Sequence, residues 1–152
     1  MAKDAIDIIK HDHRKVEELF KEYEELGETA HTQKRMIADT IISELETHAE
    51  MEELYCYPRF KEALADEDES LVEEATAEHD VAKSIIAELK TLEPEDPQFD
   101  AKVKVLKENI EHHVKEEEHD LLPKAKKKLE DDTLEEMAEQ MMEFKASRGA
   151  TE

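Results

Sequence analysis

Residues 48–58, HAEMEELYCYP, recur 65 residues later as residues 113–123, HVKEEEHDLLP. Both segments contain a histidine, a glutamate four residues further on and a proline ten residues further on. A histidine and a glutamate at positions i and i+4 lie on the same face of an α-helix. The repeat therefore predicts two similar helical segments, each presenting a His and a Glu side chain in one direction.

The sequence around the repeat predicts four long helices and a shorter fifth one. Apolar residues recur at intervals of three and four, and they place helices at about 4–26, 32–65, 70–92, 97–129 and from 133 onward. Pro58 and Pro123 are expected to bend the second and fourth helices, because proline has no N–H to donate. Long helices with short connections favour an all-α fold, an up-down-up-down four-helix bundle with a short fifth C-terminal helix. At 152 residues, a single domain over 1–152 is expected.

Capping signals predict where three of these helices begin. Ser70 with Glu73, and Thr133 with Glu136, have the spacing of a capping box. Asp96 followed by a proline predicts the start of the fourth helix. In the last helix the apolar residues are expected to pack against the bundle, and they are Leu134, Met137, Met141 and Phe144.

Six polar residues stand where the apolar stripes of the long helices require apolar ones. They are His13, His48, Glu52, His79, His113 and Glu117. A lone histidine on an apolar face is more often satisfied within the protein, but this pattern occurs on all four helices. Burying an unpaired charge costs on the order of several kcal/mol, so something must compensate these groups. We therefore predict a cation site between the helices; the alternative is a polar layer that holds no metal.

Few other polar residues can be assigned to this site from the sequence. Asp12, Glu78 and Asp80 are neighbours of His13 and His79, but adjacency along a helix does not turn two side chains the same way. Tyr55 lies one turn after Glu52, and packing at the end of the bundle is its expected role. Three further histidines are expected at the surface or in a loop, and they are His11, His31 and His112. One ferritin-like Glu-x-x-His motif, at Glu116 and His119, is expected by chance in so acidic a helix.

The formal net charge of -22 excludes favourable electrostatic binding to nucleic acid or to an anionic membrane, because both are polyanions. Most of this charge is expected to form a solvated surface, and no protein partner is identified. The single cysteine, Cys56, rules out an intramolecular disulfide. The N-terminal residues lack the apolar segment of a secretory signal. We therefore expect a cytoplasmic protein.

The four histidine-bearing segments together resemble the hemerythrin-like, or HHE cation-binding, family over essentially the whole chain. The segments are Asp12-His13, residues 48–53 before Tyr57-Pro58, Glu78-His79, and residues 113–118 before Leu122-Pro123. The resemblance implies a four-helix bundle with a non-haem di-iron centre that reacts with or senses dioxygen, peroxide or nitric oxide, or manages iron. It makes His13, His48, His79 and His113 terminal ligands and makes Glu52 and Glu117 bridging carboxylates.

Two departures from hemerythrins bear on the expected function. Hemerythrins have a second histidine where this chain has Lys83, and their carboxylate on the fourth helix follows its histidine by five residues, a spacing that Glu118 would satisfy. The stripe and the repeat favour Glu117 over Glu118. Simple reversible oxygen carriage is therefore less expected than chemistry on a small oxidant.

Mixed imidazole and carboxylate ligands suit iron, manganese or zinc. The resemblance makes iron the expected metal, as two ions bridged by an oxo or hydroxo group, with manganese or zinc as weaker candidates. Two six-coordinate ions would keep about two positions open after these ligands, which is typical of a reactive site. The expected function is binding of or reaction with dioxygen, peroxide or nitric oxide, with catalase-like peroxide removal as one form. The alternatives are a metal-dependent sensor or binding module, and an iron storage or delivery protein without turnover.

Overall fold

The computed structural model describes residues 4–65 and 68–149, and these residues form helices and their connections, with no strand. The all-α prediction is therefore confirmed. The helices are α1 (Ala5–Glu24), α2 (His31–Tyr55), α3 (Tyr57–Ala63), α4 (Glu69–Leu89), α5 (Pro97–Glu116), a π-helical segment (Glu117–Leu121), α6 (Leu122–Lys128) and α7 (Asp131–Ser147). Helices α1, α2, α4 and α5 form the four-helix bundle, and α7 is the predicted fifth helix. The one-domain prediction includes residues 1–3, 66, 67 and 150–152, which lie outside the described residues.

Side-chain caps fix the first residues of two bundle helices. Asp4 caps α1 in a capping box with Asp7. Asp96 caps α5 by accepting a hydrogen bond from the backbone N–H of Gln98, with Pro97 in the first turn, as predicted. The two capping boxes predicted for the third and fifth helices are wrong. Helix α4 begins at Glu69 and α7 at Asp131, so Ser70 and Thr133 already lie inside helices.

Both proline-bearing helices are interrupted, so the single bent helices predicted over 32–65 and 97–129 are wrong in detail. Helix α2 ends at Tyr55, and α3 begins two residues later with Pro58 in its first turn. In the second copy the chain widens into the π-helical segment, where the N–H of Leu122 donates to the carbonyl of Glu117. Proline cannot donate to the preceding turn, and the two copies accommodate this loss by different local structures.

The core consists of two apolar clusters at opposite ends of the bundle. One cluster includes Ile9, Met51 and Phe60 and is covered by α7. The other includes Phe20, Ile41 and Phe99. The predicted packing stripe of α7 is confirmed, since Leu134, Met137 and Met141 are 0% exposed and Phe144 is 9% exposed. The six polar residues of the stripes lie between the two clusters.

Within residues 4–65 and 68–149, the helices are too short or too polar for any of them to cross a lipid bilayer.

Candidate metal centre

The six polar residues converge from four helices into one buried layer. Helix α1 supplies His13, α2 supplies His48 and Glu52, α4 supplies His79 and α5 supplies His113, while Glu117 is the first residue of the π-helical segment. All six are buried, with relative exposures between 0% and 8%. The helical stripes explain this convergence, because each residue stands where the stripe points to the bundle axis.

The layer divides into two groups of potential ligands. The His13 group contains His13, His48 and Glu117, and the His79 group contains Glu52, His79 and His113. Within each group, one ligand atom from each residue lies within 4.8 Å of the others. The four imidazoles point their Nε2 atoms, here called the inner nitrogens, at the two carboxylates.

Each carboxylate faces one imidazole of each group. Glu52 Oε1 lies 3.1 Å from the inner nitrogens of both His48 and His79. The two oxygens of Glu117 lie 3.0 Å from His13 and 3.4 Å from His113. This arrangement suits carboxylates shared between two cations, and Glu117 rather than Glu118 occupies the position within the layer.

Several polar atoms of the layer have no hydrogen-bond partner among the described residues. They are the inner nitrogens of His13 and His48, Glu52 Oε2 and Glu117 Oε1. The short distance between His13 and Glu117 therefore brings two groups together without hydrogen-bond geometry. A buried polar atom without a partner is costly, and a cation bound by these lone pairs would remove that cost. Imidazole nitrogens and carboxylate oxygens also suit iron, manganese or zinc, so the residues present fit a metal pair.

The Nδ1 atoms of the four imidazoles, here called the outer nitrogens, each contact a different carboxylate. The pairs are His13 with Glu118 at 2.6 Å, His48 with Asp12 at 2.7 Å, His79 with Glu53 at 2.8 Å and His113 with Glu78 at 2.7 Å. An N–H donated to a carboxylate fixes the ring orientation and leaves the inner nitrogen free to bind a metal. These four carboxylates are related by the sequence repeat, since Glu53 corresponds to Glu118 and Asp12 to Glu78.

Sequence reasoning missed the roles of Asp12 and Glu78. Each lies next to one histidine in the sequence but bonds to a histidine of another helix, namely His48 and His113. Asp80, the third candidate, is exposed. The repeat carried a signal for these partners, because an acidic residue precedes the histidine in both α1 and α4.

The hydroxyl of Tyr57 is a second feature that the sequence did not reveal. Tyr57 is buried, and its O–H lies 2.7 Å from Glu117 Oε2 and 3.2 Å from Glu52 Oε1. Burial, and then the charges of Glu117 and Glu52, raise the pKa of Tyr57 well above its usual value. Tyr55, the tyrosine considered from the sequence, instead packs against Phe144 with ring centroids 5.6 Å apart. A mismatch in the repeat marks Tyr57, since Leu122 is its counterpart.

Two lysines contact the carboxylates that face the outer nitrogens, here called the outer carboxylates. Lys83, which stands where hemerythrins have a histidine, lies 2.9 Å and 3.0 Å from the two oxygens of Glu53 and so contacts a group behind the ligand His79. Lys145 of α7 is only 3% exposed, and its ammonium donates to Asp12 Oδ1. The apolar stripe of α7 gave no indication that the helix also carries a buried charge.

The pKa values of His48 and His113 favour the imidazolium form facing a carboxylate. Burial lowers the pKa of His48, but Glu52 and Asp12 outweigh burial and bring the pKa well above its usual value. Burial also opposes the charged form of His113, yet Glu117 and Glu78 raise its pKa to about 10. Burial alone would raise the pKa of Glu117, but His113 and His13 outweigh burial and bring this pKa well below the usual range. Metal ions must therefore displace protons from these imidazoles.

A cavity of about 360 Å³ opens beside the layer. It is lined by the four imidazoles and by apolar side chains, among them Val16, Leu45, Ala82, Ile86 and Ile110. Charged residues, including Glu53, Lys83 and Arg148, also line it. The cavity gives a small molecule space beside the ligands.

The histidines outside the layer are less buried. His11, His112 and His119 are exposed, and His31 is half-buried. His112 does come together with Glu78 and Glu116 in a third cluster, partly exposed, at the outer edge of the site. The ferritin-like pair therefore has its histidine at the surface.

Comparisons with known proteins agree with this geometry. The Hemerythrin HHE cation binding domain model matches residues 4–125. A DNA nickase of Nostoc sp. is 30% identical over 142 residues, which make up 93% of this chain and 38% of the nickase. An uncharacterized hemerythrin-like protein of Schizosaccharomyces pombe is 27% identical over 95 residues, covering 62% of this chain and 47% of that protein. The chain thus spans less than half the length of either relative.

A solved structure shows the same fold. The crystal structure of a hemerythrin HHE cation binding domain-containing protein from Mycobacterium kansasii has a TM-score of 0.80, with 24% identity, and covers 97% of this chain and 88% of its own. The family model covers most of the chain, including all six residues of the buried layer. With its bundle and its His and Glu clusters that could hold metal, the chain belongs to the hemerythrin HHE cation-binding domain family.

Proposed function

We propose that this protein holds two iron ions in the buried layer and uses them to bind or react with a small oxidant, namely dioxygen, peroxide or nitric oxide. The observation that carries the proposal is the arrangement of four inner nitrogens around two shared carboxylates, next to a cavity. Buried atoms without partners supply the reason for a cation, and the cavity supplies a place for a reactant.

The protein's own residues would hold the ions and control their surroundings. His13 and His48 would bind one ion and His79 and His113 the other, with Glu52 and Glu117 shared. The outer carboxylates keep each imidazole oriented. Iron, when bound, would change its oxidation state by giving electrons to a small oxidant or by taking them back.

Tyr57 would keep a proton at the edge of the site. Its hydroxyl donates to Glu117 at 2.7 Å, and its raised pKa keeps the hydroxyl protonated. The apolar side chains that line part of the cavity would disfavour water beside the imidazoles, which would strengthen electrostatic interactions there. These features favour a reactive centre over a purely structural one.

Peroxide removal is the form of the activity that we would test first. Two molecules of hydrogen peroxide would give two of water and one of dioxygen, so no further reductant is needed. Purified protein should contain two irons per chain, and iron-loaded protein should release dioxygen from peroxide. His48→Ala should lose the activity and the iron of the His13 group, while the matched control His11→Ala, which changes an exposed histidine, should keep both irons and the activity.

Other outcomes would redirect or end the proposal. Iron that passes to a chelator without any peroxide turnover would favour storage or delivery. Failure to bind iron after reconstitution would contradict the metal centre altogether. Binding of nitric oxide or dioxygen, measured as a spectral change of the loaded protein, separates binding from turnover.

The proposal assigns the protein no nucleic-acid substrate. Although one relative is a DNA nickase, this chain corresponds to only 38% of that protein, and a net charge of -22 repels a polyanion. A cytoplasmic location is also proposed, because the single cysteine, Cys56, is buried and free, which suits a reducing compartment. A role in oxidative stress would follow from peroxide removal.

A further inference from the structure

A buried lysine of the last helix is linked to one side of the metal centre. Lys145 of α7 is 3% exposed and donates to Asp12, which is 4% exposed. The other oxygen of Asp12 lies 2.7 Å from the outer nitrogen of His48. Helix α7 lies outside the residues that the family model matches. A charge from beyond the matched region thus reaches a carboxylate that orients a candidate ligand.

The four outer carboxylates differ in the charges that face them. Behind the His13 group, Glu118 pairs with Arg14, and Asp12 pairs with Lys145. Behind the His79 group, Glu53 pairs with Lys83, whose side chain is 51% exposed. These pairs bring a cation to three of the four carboxylates.

Glu78, the fourth outer carboxylate, has different surroundings. Its oxygens lie 2.7 Å from His113 and 3.5 Å from His112. Glu116 is also beside it, in the partly exposed cluster at the edge of the site. Negative charge therefore accumulates behind the His79 group, whereas a buried ammonium neutralises Asp12 behind the His13 group.

We infer that the two cation positions are unequal: the His79 group binds its cation first and more tightly, and Lys145 is the positioning residue that weakens the His13 group. The inference rests on the proposed two-metal centre and concerns the order in which it fills. The buried pair Lys145 and Asp12 counts most, because water and salt screen the exposed pairs of Arg14 and Lys83.

Electrostatics gives the direction of the effect. A buried positive charge near the His13 group repels an arriving cation, and the interaction is stronger in a poorly screened interior than in water. Removing the ammonium therefore favours cation binding at the His13 group.

Calorimetric titration of metal-free protein with Co²⁺ tests the inference. The wild-type chain should bind two ions in two steps whose dissociation constants differ by about tenfold or more, a size expected for one poorly screened charge. Lys145→Met should bring the steps together by tightening the weaker one. Lys145→Arg keeps the charge and should restore the wild-type separation, which a merely structural role for the lysine methylenes would not predict.

A second variant tests the charge behind the His79 group instead. Glu78→Gln removes the unneutralised charge but keeps an oxygen for the outer nitrogen of His113, so it should bring the steps together by weakening the tighter one. Glu78 is only half-buried, which keeps this arm of the test available if Lys145→Met does not fold. The opposite directions of the two shifts distinguish an electrostatic cause from general loosening of the site.

Variants in which only one of the two groups can bind Co²⁺ show which group gives each binding step. His113→Ala disables the His79 group and His48→Ala the His13 group. Adding Lys145→Met should tighten Co²⁺ binding in the His113→Ala protein and leave it unchanged in the His48→Ala protein. Two equal binding steps in the wild type, or steps unaffected by both Lys145→Met and Glu78→Gln, would overturn the inference alone. A wild-type chain that binds fewer than two ions would instead overturn the proposed two-metal centre.

Discussion

At the scale of single residues, Tyr57 connects the two halves of the candidate centre. Its hydroxyl lies within 3.2 Å of both shared carboxylates, and its ring stacks on His79 with centroids 5.2 Å apart. One donor thus serves two buried acceptors that belong to different repeats. A buried carboxylate that loses its donor has no water to replace it.

Replacing Tyr57 by phenylalanine should therefore destabilise the metal-free protein. We expect Tyr57→Phe to lower the free energy of unfolding by about 1–3 kcal/mol, the usual cost of leaving a buried polar group without its partner. Urea denaturation in the presence of a chelator measures this change. Tyr55→Phe is the matched control, because Tyr55 is half-buried and packs on Phe144; equal effects of the two substitutions would contradict the role of the Tyr57 hydroxyl.

The positions of the ligand candidates could be predicted from the sequence, but most of their partners could not. The helical stripes point all six ligand candidates toward the axis whatever the details of packing. Partners such as Asp12 and Glu78 reach across to a neighbouring helix, so their contacts depend on the rotation and spacing of two helices. Neither quantity is encoded in the stripe of one helix.

At the scale of helices, α7 both closes the bundle and supplies a charge. Its apolar face covers the cluster formed by the start of α1 and the end of α2, while Lys145 reaches Asp12. The apolar face was predictable because it repeats at helical spacing. The buried lysine was not, since a charged residue at the end of an amphipathic helix is ordinarily solvated.

Truncating the apolar face of α7 should weaken the whole fold. Leu134 is 0% exposed, and we expect Leu134→Ala to cost about 2–5 kcal/mol, the range for removing buried methyl groups and leaving a cavity. Leu54→Ala, at a position that is 53% exposed, should cost far less. The urea midpoints of both variants provide the comparison, and a small loss for Leu134→Ala would mean that α7 is not part of the cooperative core.

The two proline-bearing segments show how similar sequences can differ in local structure. Pro58 follows a break between α2 and α3, whereas Pro123 follows the π-helical segment. Each copy nevertheless delivers its glutamate to the layer one turn after its histidine. The apolar stripe could predict these positions because Glu52 precedes the break after α2 and Glu117 is the first residue of the π-helical segment.

At the scale of the whole molecule, the raised pKa values of three buried histidines link the stability of the metal-free protein to pH. The pKa values of His13, His48 and His113 are raised by facing carboxylates, above the usual value of 6.5. A raised histidine pKa stabilises the folded state fully below the unfolded value and loses this effect as the pH rises through the folded value. The lowered pKa of Glu117 acts in the opposite direction, contributing above its usual 4.5 and failing as the pH falls.

The stability of the metal-free protein should therefore fall as the pH rises from 6.5 toward 10, the pKa given for His113. Metal-loaded protein should not follow this trend, because the cation replaces the imidazole protons. Urea midpoints of chelator-treated and metal-loaded protein across this range measure the difference. If both forms lost stability in parallel, the protons of the layer would not be those that the metal displaces.

The division of the core into two apolar clusters has a consequence for the lifetime of the chain. The layer between them contains buried polar atoms that have no hydrogen-bond partner among the described residues, so we expect the two ends of the metal-free protein to open separately. Bound ions would tie four helices together at mid-length and make the opening a single event. Proteases, which cleave opened chains, would then remove unloaded copies and spare loaded ones, so that the amount of this protein in a cell would follow the supply of its metal.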